Sequence, residues 1–374
     1  MALALVRKST LAAKKEVTYG TMPTVAAADV ISLAGVPSFN AAFDQIENPI
    51  IRNSLSKQGA LRGAETISGD VSLPLRGSGT AGTAPDGDAV WECGIGVKNT
   101  STASTTHATT PCTNTSIVLV TAGGANFAVG DAVLIGGEVT WVTAKVTDTL
   151  TVSPALASAP GFGAAVGAGV HYKLASSRPS FAAKFWRGDI TREDYTGLVV
   201  ESFDVDFVTG QTPIPKFAFQ GKAMGAAVAE AYGLGAPTLD ATLPLVARNM
   251  VVTIGGVSYA VGNIALSVKY DIYRRMAVTT SGTQDVLWTA REVTGSFSLM
   301  YEDKTVEDTF AADTQAELRV VCGATAGNIF AFRIPKLRYA GVPKSEESGA
   351  YKYDVTFVCD SDAGEDDLTS ASFV

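Results

Sequence analysis

Apolar residues recur at every second position over long stretches of the chain, the period of a strand with one face buried and one face wet. In residues 65–75 (ETISGDVSLPL), Ile67, Val71, Leu73 and Leu75 point one way, while Ser68, Asp70 and Ser72 point the other. In 201–207, Phe203, Val205 and Phe207 alternate with Asp204 and Asp206. In 351–359, Tyr351, Tyr353, Val355, Phe357 and Cys359 alternate with Lys352, Asp354 and Thr356. One-sided strands of this kind belong to antiparallel sheets.

The same pattern occurs twice. ETISGDVSLPL at Glu65 aligns in phase with REVTGSFSLMY at Arg291, and Phe43-Asp44-Gln45-Ile46 aligns with Tyr270-Asp271-Ile272-Tyr273 at almost the same offset. Short helices are predicted after each matched strand, over 86–93 and 304–311. A hairpin then recurs, FDVDFVTGQTPIPKFAFQG against PKLRYAGVPKSEESGAYKYDVTF. Between helix and hairpin the first copy is longer by roughly 90 residues, the size of a small domain. That excess opens with a Ser/Thr-rich connector and continues as SIVLV, AVLIG, VTWVTAKV and TLTVS, with Gly pairs and Pro160-Gly161 as turns. The predicted organisation is therefore mainly β. A first fold spans 1–96 and 177–225, a small all-β domain is inserted at 97–176, a linker covers 226–238, and a second fold covers 239–374. A short helix through Ala226–Tyr232 is the alternative for the linker.

Composition narrows the function. The chain has 374 residues, 46% hydrophobic and 18% charged, with 37 glycines. It can bury a core, and its turn residues favour many short connections. The formal net charge of −8 argues against gripping nucleic acid, which calls for a basic stripe. Two histidines and four cysteines, without C-x-x-C or H-E-x-x-H spacing, give zinc little to bind, so no metal or cofactor is expected. The cysteines are expected to be reduced and mostly buried; a Cys93–Cys112 disulfide at the neck of the insertion and a Cys322–Cys359 pairing remain open. The N-terminal apolar stretch is too short for a signal peptide, and no run of about 18 apolar residues offers a membrane span. The expected compartment is a cytoplasm.

No motif supplies catalysis. Gly77-Ser-Gly-Thr-Ala-Gly82 matches G-x-G-x-x-G after a strand, but no helix opens at that loop and no βαβ unit surrounds it. It is expected to be a turn, as is Arg187-Gly188-Asp189. His107 lies in the connector and His171 among apolar strand residues, so Ser and Cys nucleophiles lack an activating base. Asp204 and Asp206 could form a carboxylate pair, although a solvated sheet face explains them as well. The acidic stretch 360–367 is expected to be a solvated tail.

Several stretches together resemble the tail tube proteins of long-tailed bacteriophages. They are EVTYGTMPT (16–24), 50–82 with its LRGSGTAG run, APDGDAVWECGIG (84–96), REVTGSFSLMYED (291–303) and IFAFRIPKLRYAG (329–341). The resemblance implies a β-sandwich-like fold with one flanking helix, whose sheets join those of neighbouring subunits into a barrel, with rings stacked into a DNA-conducting tube. Its partners would be further copies of itself and the tape-measure, tail-terminator and tail-tip proteins, in a virion tail assembled in a host cytoplasm. Two folds per chain imply three chains per ring with pseudo-sixfold symmetry, six identical chains being the alternative. An insertion pointing outward implies a non-contractile tail. Ser68, Asp70, Ser72, Asp204, Asp206, Thr294, Ser296, Ser298 and Asp354 are the candidates for the inner wall. Ile50, Ile51, Leu55, Leu61, Val286, Leu287 and Trp288, on segments 48–63 and 276–290 expected to be long loops, are the candidates for ring stacking. A decoration, tail-terminator or baseplate protein is the rival within the virion; an Ig-like adhesin and an enzyme are rivals outside it.

Overall fold

The computed structural model describes residues 5–50, 56, 59–175, 179–248, 250–278, 283–302, 304–360 and 370–374. The first half contributes β1 (Thr10–Lys15), β2 (Ser38–Ile46), β3 (Leu61–Ser72), α1 (Asp88–Ile95), β4 (Gly96–Ser101), β5 (Gly169–Leu174), β6 (Phe181–Arg187), β7 (Thr191–Val208) and β8 (Lys216–Gly221). The second contributes β9 (Val251–Ile254), β10 (Val261–Met276), β11 (Thr283–Met300), α2 (Thr305–Ala311), β12 (Ala316–Thr325), β13 (Asn328–Gly341), β14 (Ala350–Cys359) and β15 (Ser370–Phe373). The first helix starts two residues later than expected because Asp86 is held outside it. Its carboxylate accepts from Arg76 at 2.8 Å and from the backbone of Ser32.

One antiparallel sheet runs through both halves in the order β2, β3, β8, β7, β10, β11, β14, β13. The order repeats: each half lays down a hairpin, then the later and the earlier strand of a second hairpin (β8 and β7, β14 and β13). The seam is itself a ladder, with 202–208 of β7 against 269–263 of β10. A second layer forms from β1 and β6 with the start of β7, and from β9 and β12 with the start of β13. β13 passes this layer on to β15, β5 and β4. Between the layers lies the core. Trp91 of α1 touches Phe203 and Phe217 of the first sheet and Tyr172, Phe330 and Phe373 of the second.

The two copies agree in register. Phe43 faces Glu65 as Tyr270 faces Arg291, and Ile46 faces Leu61 as Tyr273 faces Leu287. Both hairpins carry a bulge between those pairs, and β7–β8 and β13–β14 share another, at Val200/Ser202 and Tyr339/Gly341. Gly69 and Gly295 match as well. A Cβ at Gly69 would lie 2.0 Å from the Ser38 carbonyl oxygen and 2.9 Å from Phe219; at Gly295, 2.4 Å from both the Ala265 carbonyl oxygen and Phe357. Few identities are needed for this, because the copies share only where small, apolar and bulged positions fall.

The insertion is smaller than 97–176. β4 and β5 pair with each other, and β5 pairs with β15, so both flanks belong to the host layer. The connector begins as a strand because its partner lies about 70 residues on, beyond the reach of local pattern. Six short strands between Ser104 and Val166 form a separate sheet. Its core includes Ile117, Phe127, Val133, Val142, Leu150 and Leu156. Trp141 docks it against Ala331 and Val374, and Arg319 donates to Ser153 Oγ at 2.7 Å. The linker holds no helix: Val228–Ala229 instead pairs with the start of β7, and Tyr232 packs edge-on against Trp186.

Two outcomes follow from this packing. Gly69→Ala and Gly295→Ala should each cost about 1–3 kcal/mol by overpacking, seen as a lower thermal midpoint. Gly35→Ala, with nothing within 4 Å, should be near neutral. Removing 103–167 and bridging 102 to 168 with a short Gly/Ser turn should leave a cooperatively melting protein, since Ser101 and Gly169 already face each other. Removing 100–176 should abolish folding, because it takes β5 and buried Tyr172 out of the core. A stable second variant with an unfolded first would contradict this boundary.

Candidate functional site

The outer face of the long sheet gathers polar side chains from every strand, because cross-strand partners share a face. One row runs Thr356, Ser296, Ala265, Asp206; the next runs Val358, Thr294, Ser267, Asp204, Lys216, Ser72. A third runs Lys269, Ser202, Ala218, Asp70, Ser38, and Ser68 lies between Gln220 and Asn40. Ser298 faces Asp354 at the far end. All nine candidate wall residues (Ser68, Asp70, Ser72, Asp204, Asp206, Thr294, Ser296, Ser298 and Asp354) thus share one face, opposite α1, the core and the insertion.

Serines hold the carboxylates in place. Ser38 Oγ donates to Asp70 at 2.6 Å, Ser202 and Ser267 donate to Asp204, and Ser345 donates to Asp354. The wall candidates left out lysines that share this face: Lys216, 3.7 Å from Asp70; Lys352, 3.5 Å from Asp354; and Lys269. Their signal was available, since Lys269 and Lys352 keep the period of two with Ser267 and Asp354. The face is therefore mixed in sign with an excess of acids. These ion pairs are more than a third exposed on at least one side and are worth little each. Asp70, Asp204 and Asp354 sit on separate strands, each bound to a serine hydroxyl of its own sheet; Asp206 shares β7 with Asp204, and no imidazole or thiol lies on the face to pair with them.

Two hairpin arms extend past their neighbours in the ladder, the second held against the first half by Arg274, Thr283 and Trp288. Among the described residues, the ends of β2 and β3 (42–46 and 61–66) form ladders with each other alone, as do the ends of β10 and β11 (270–276 and 283–292). Residues 283–290 and 61–63 are therefore strand, where loops were expected. Ile46, Ile50, Leu61, Tyr273 and Met276 are each more than half exposed on these arms. Leu287 is half-buried opposite Tyr273. Val286 and Trp288 are used inside the chain instead. Val286 is fully buried, while Trp288 stacks on Tyr270 at 4.0 Å and donates to the Val200 carbonyl. Ile51 and Leu55 lie outside the described residues.

The remaining motifs serve the fold. The loop 77–82 meets the turn at Gly327 backbone to backbone: Gly79 N donates to the Gly327 carbonyl, and Gly77 N to Asn328 Oδ1. Its glycines permit that approach, since a Cβ at Gly77 would lie 2.1 Å from Gly327 O. Arg187 is tied to Glu193, and Asp189 caps the Tyr232 backbone. His171 is buried between Ser101 Oγ and Ser372 Oγ, stitching β4, β5 and β15. Burial pulls its pKa down to about 4, outweighing the opposite pull of Asp131 4.0 Å away, and Lys173 adds to the lowering. No disulfide joins the four cysteines: Cys93 lies in α1 within the core and Cys112 in the insertion, so the Cys93–Cys112 bridge does not form, nor does Cys322–Cys359. Burial pushes the Cys93 thiol well up.

Comparison with known families returns one whose sequence description, phage tail tube protein, matches residues 7–359. Among curated proteins, none matches the chain.

Proposed function

The chain belongs to the phage tail tube protein family, a structural component of the virion tail, and from that premise we propose that its copies close into three-membered rings. The rings stack into a hollow, non-contractile tail tube through which DNA leaves the particle. The observation that carries this reading is the long sheet. Eight strands from two like halves lie side by side with one face uncovered and polar. Three copies would close roughly 24 strands, beyond the 16–18 that already leave an aqueous channel in porins.

The polar face is the inner wall. The insertion docks on Ala331, Arg319, Ser370 and Val374, all in the opposite layer. Turning the polar face outward would put a folded domain into the bore, where it would block DNA. Small hydroxyls held by carboxylates give a passing base nothing to grip. Excess carboxylate repels phosphate over about 8 Å at physiological salt. Outside, the insertion occupies the space a contractile sheath would need. Assembly takes place in the host cytoplasm, with tape-measure, tail-terminator and tail-tip proteins as neighbours, and the exposed arms reach the adjoining ring.

Concentrated purified protein should form long hollow tubes in negative-stain micrographs; isolated discs or compact particles of fixed size would favour a terminator or decoration protein. Leu61→Asp together with Leu287→Asp, matched positions on the two arms, should give soluble rings that fail to elongate. Tubes of normal length from that variant would remove the arms from stacking. Virions carrying Asp206→Lys and Ser296→Lys, which flank Ala265 in one row of the polar face, should assemble yet release DNA more slowly, most of all at low salt. Unchanged release at low ionic strength would place that face elsewhere.

A further inference from the structure

The seam inside the chain is a template for the joint between chains. β7 and β13 occupy the same place in the two copies, and so do β10 and β2. Matching through their shared partners makes 202–204 equivalent to 341–343 and 266–269 equivalent to 39–42. β7 and β10 are paired. Among the described residues, β2 pairs with β3 alone, and the segment following β13 pairs with β14 alone. The two edges left open are thus the two halves of a joint that the chain has already built once within itself.

We infer that 38–42 of one copy pairs antiparallel with 345–341 of a second copy, Asn40 facing Pro343, in the register that Ser267 and Asp204 show inside the chain. This deepens the tube reading and rests on it. The edges present the right groups. Pro343 turns its carbonyl inward to the Asp354 N–H, so its missing donor is on the side already paired. The amides and carbonyls of Val342 and Lys344 therefore face outward, since they alternate along a strand. On β2, the Ser38 carbonyl lies against Gly69 and that of Ala42 accepts from Thr66, both inward, so Phe39 and Ala41 face outward. These are the residues the template sets opposite Lys344 and Val342.

The flanks restrict the register. Pro37 has no donor to extend the ladder past Ser38, and a proline and a lysine on an open edge discourage pairing with unrelated strands. A slip by one residue would set Asn40, on the wet face, opposite Val342, which packs on the core, and would bring inward-bonded backbone groups to the joint. At the joint Ala41, exposed in the single chain, comes to lie beside Val342, as Val268 lies beside Phe203 in the seam.

The test is a cysteine pair in the full chain with Cys112→Ser. Asn40 and Pro343 would face each other without mutual hydrogen bonds, at a Cα separation of about 4.5 Å, which a disulfide spans. Oxidised tubes of Asn40→Cys, Pro343→Cys should run on denaturing gels as covalent species ending at three chains, and return to one chain on reduction. Asp204→Cys, Ser267→Cys should link within one chain under the same conditions, and Asn40→Cys, Ser345→Cys should not link. Tubes in which only the Ser345 pair links, or neither pair links, would overturn the register while leaving the tube reading standing. A covalent series reaching six chains would overturn closure by three. Parent protein that forms neither rings nor tubes would remove the joint and the tube reading together.

Discussion

A sheet that stops has an unpaired edge, and this constraint organises the molecule. Buried backbone groups need partners, and an exposed row of N–H and C=O groups recruits another strand. The chain meets the constraint once internally, where the last inner strand of the first half receives the first strand of the second along 202–208 and 269–263. That ladder makes two folds into one surface. Among the described residues it also leaves one edge of each kind at the two ends, as a single half would.

Everything else holds that surface in one shape. The second layer and α1 press on its inner side through Trp91, which lies among five aromatic rings from both sheets. Aromatic packing of this kind adds about 0.5–1.5 kcal/mol per pair beyond area burial. Gly69 and Gly295 let Phe219 and Phe357 lie flat against neighbouring strands at matched places. The matched bulges bend each half in the same way. With one face committed to packing, the other is left to small polar residues and acids, the surface assigned to the bore.

Much of this was legible in the sequence. Period-two alternation set the faces of 65–75, 201–207 and 351–359, and the structure gathers Asp70, Asp204 and Asp354 on one side as that pattern requires. The in-phase match of ETISGDVSLPL with REVTGSFSLMY survives residue for residue in the ladders. What was hidden depends on distant partners. Residues 97–101 read as connector because their partner, 169–174, follows a whole inserted sheet. Segment 283–290 read as loop because two strands extending past their neighbours look, locally, like a polar interval with scattered apolar residues. Trp288 drew attention as an exposed anchor, yet Tyr270 covers it, a contact between strands that spacing alone does not reveal. The order of strands in the sheet, and with it the seam, depends on pairings that no single segment encodes.

A helical reconstruction of the assembled tube tests the central claim most directly, because it shows the joint, the stoichiometry and the orientation of the sheet in one map. The account predicts a ring of three chains with near-sixfold walls, an unbroken sheet across every boundary, Asp206 and Ser296 toward the bore, and three insertions projecting outside. Six chains per ring, a break in the sheet between chains, or the polar face on the outer surface would contradict it.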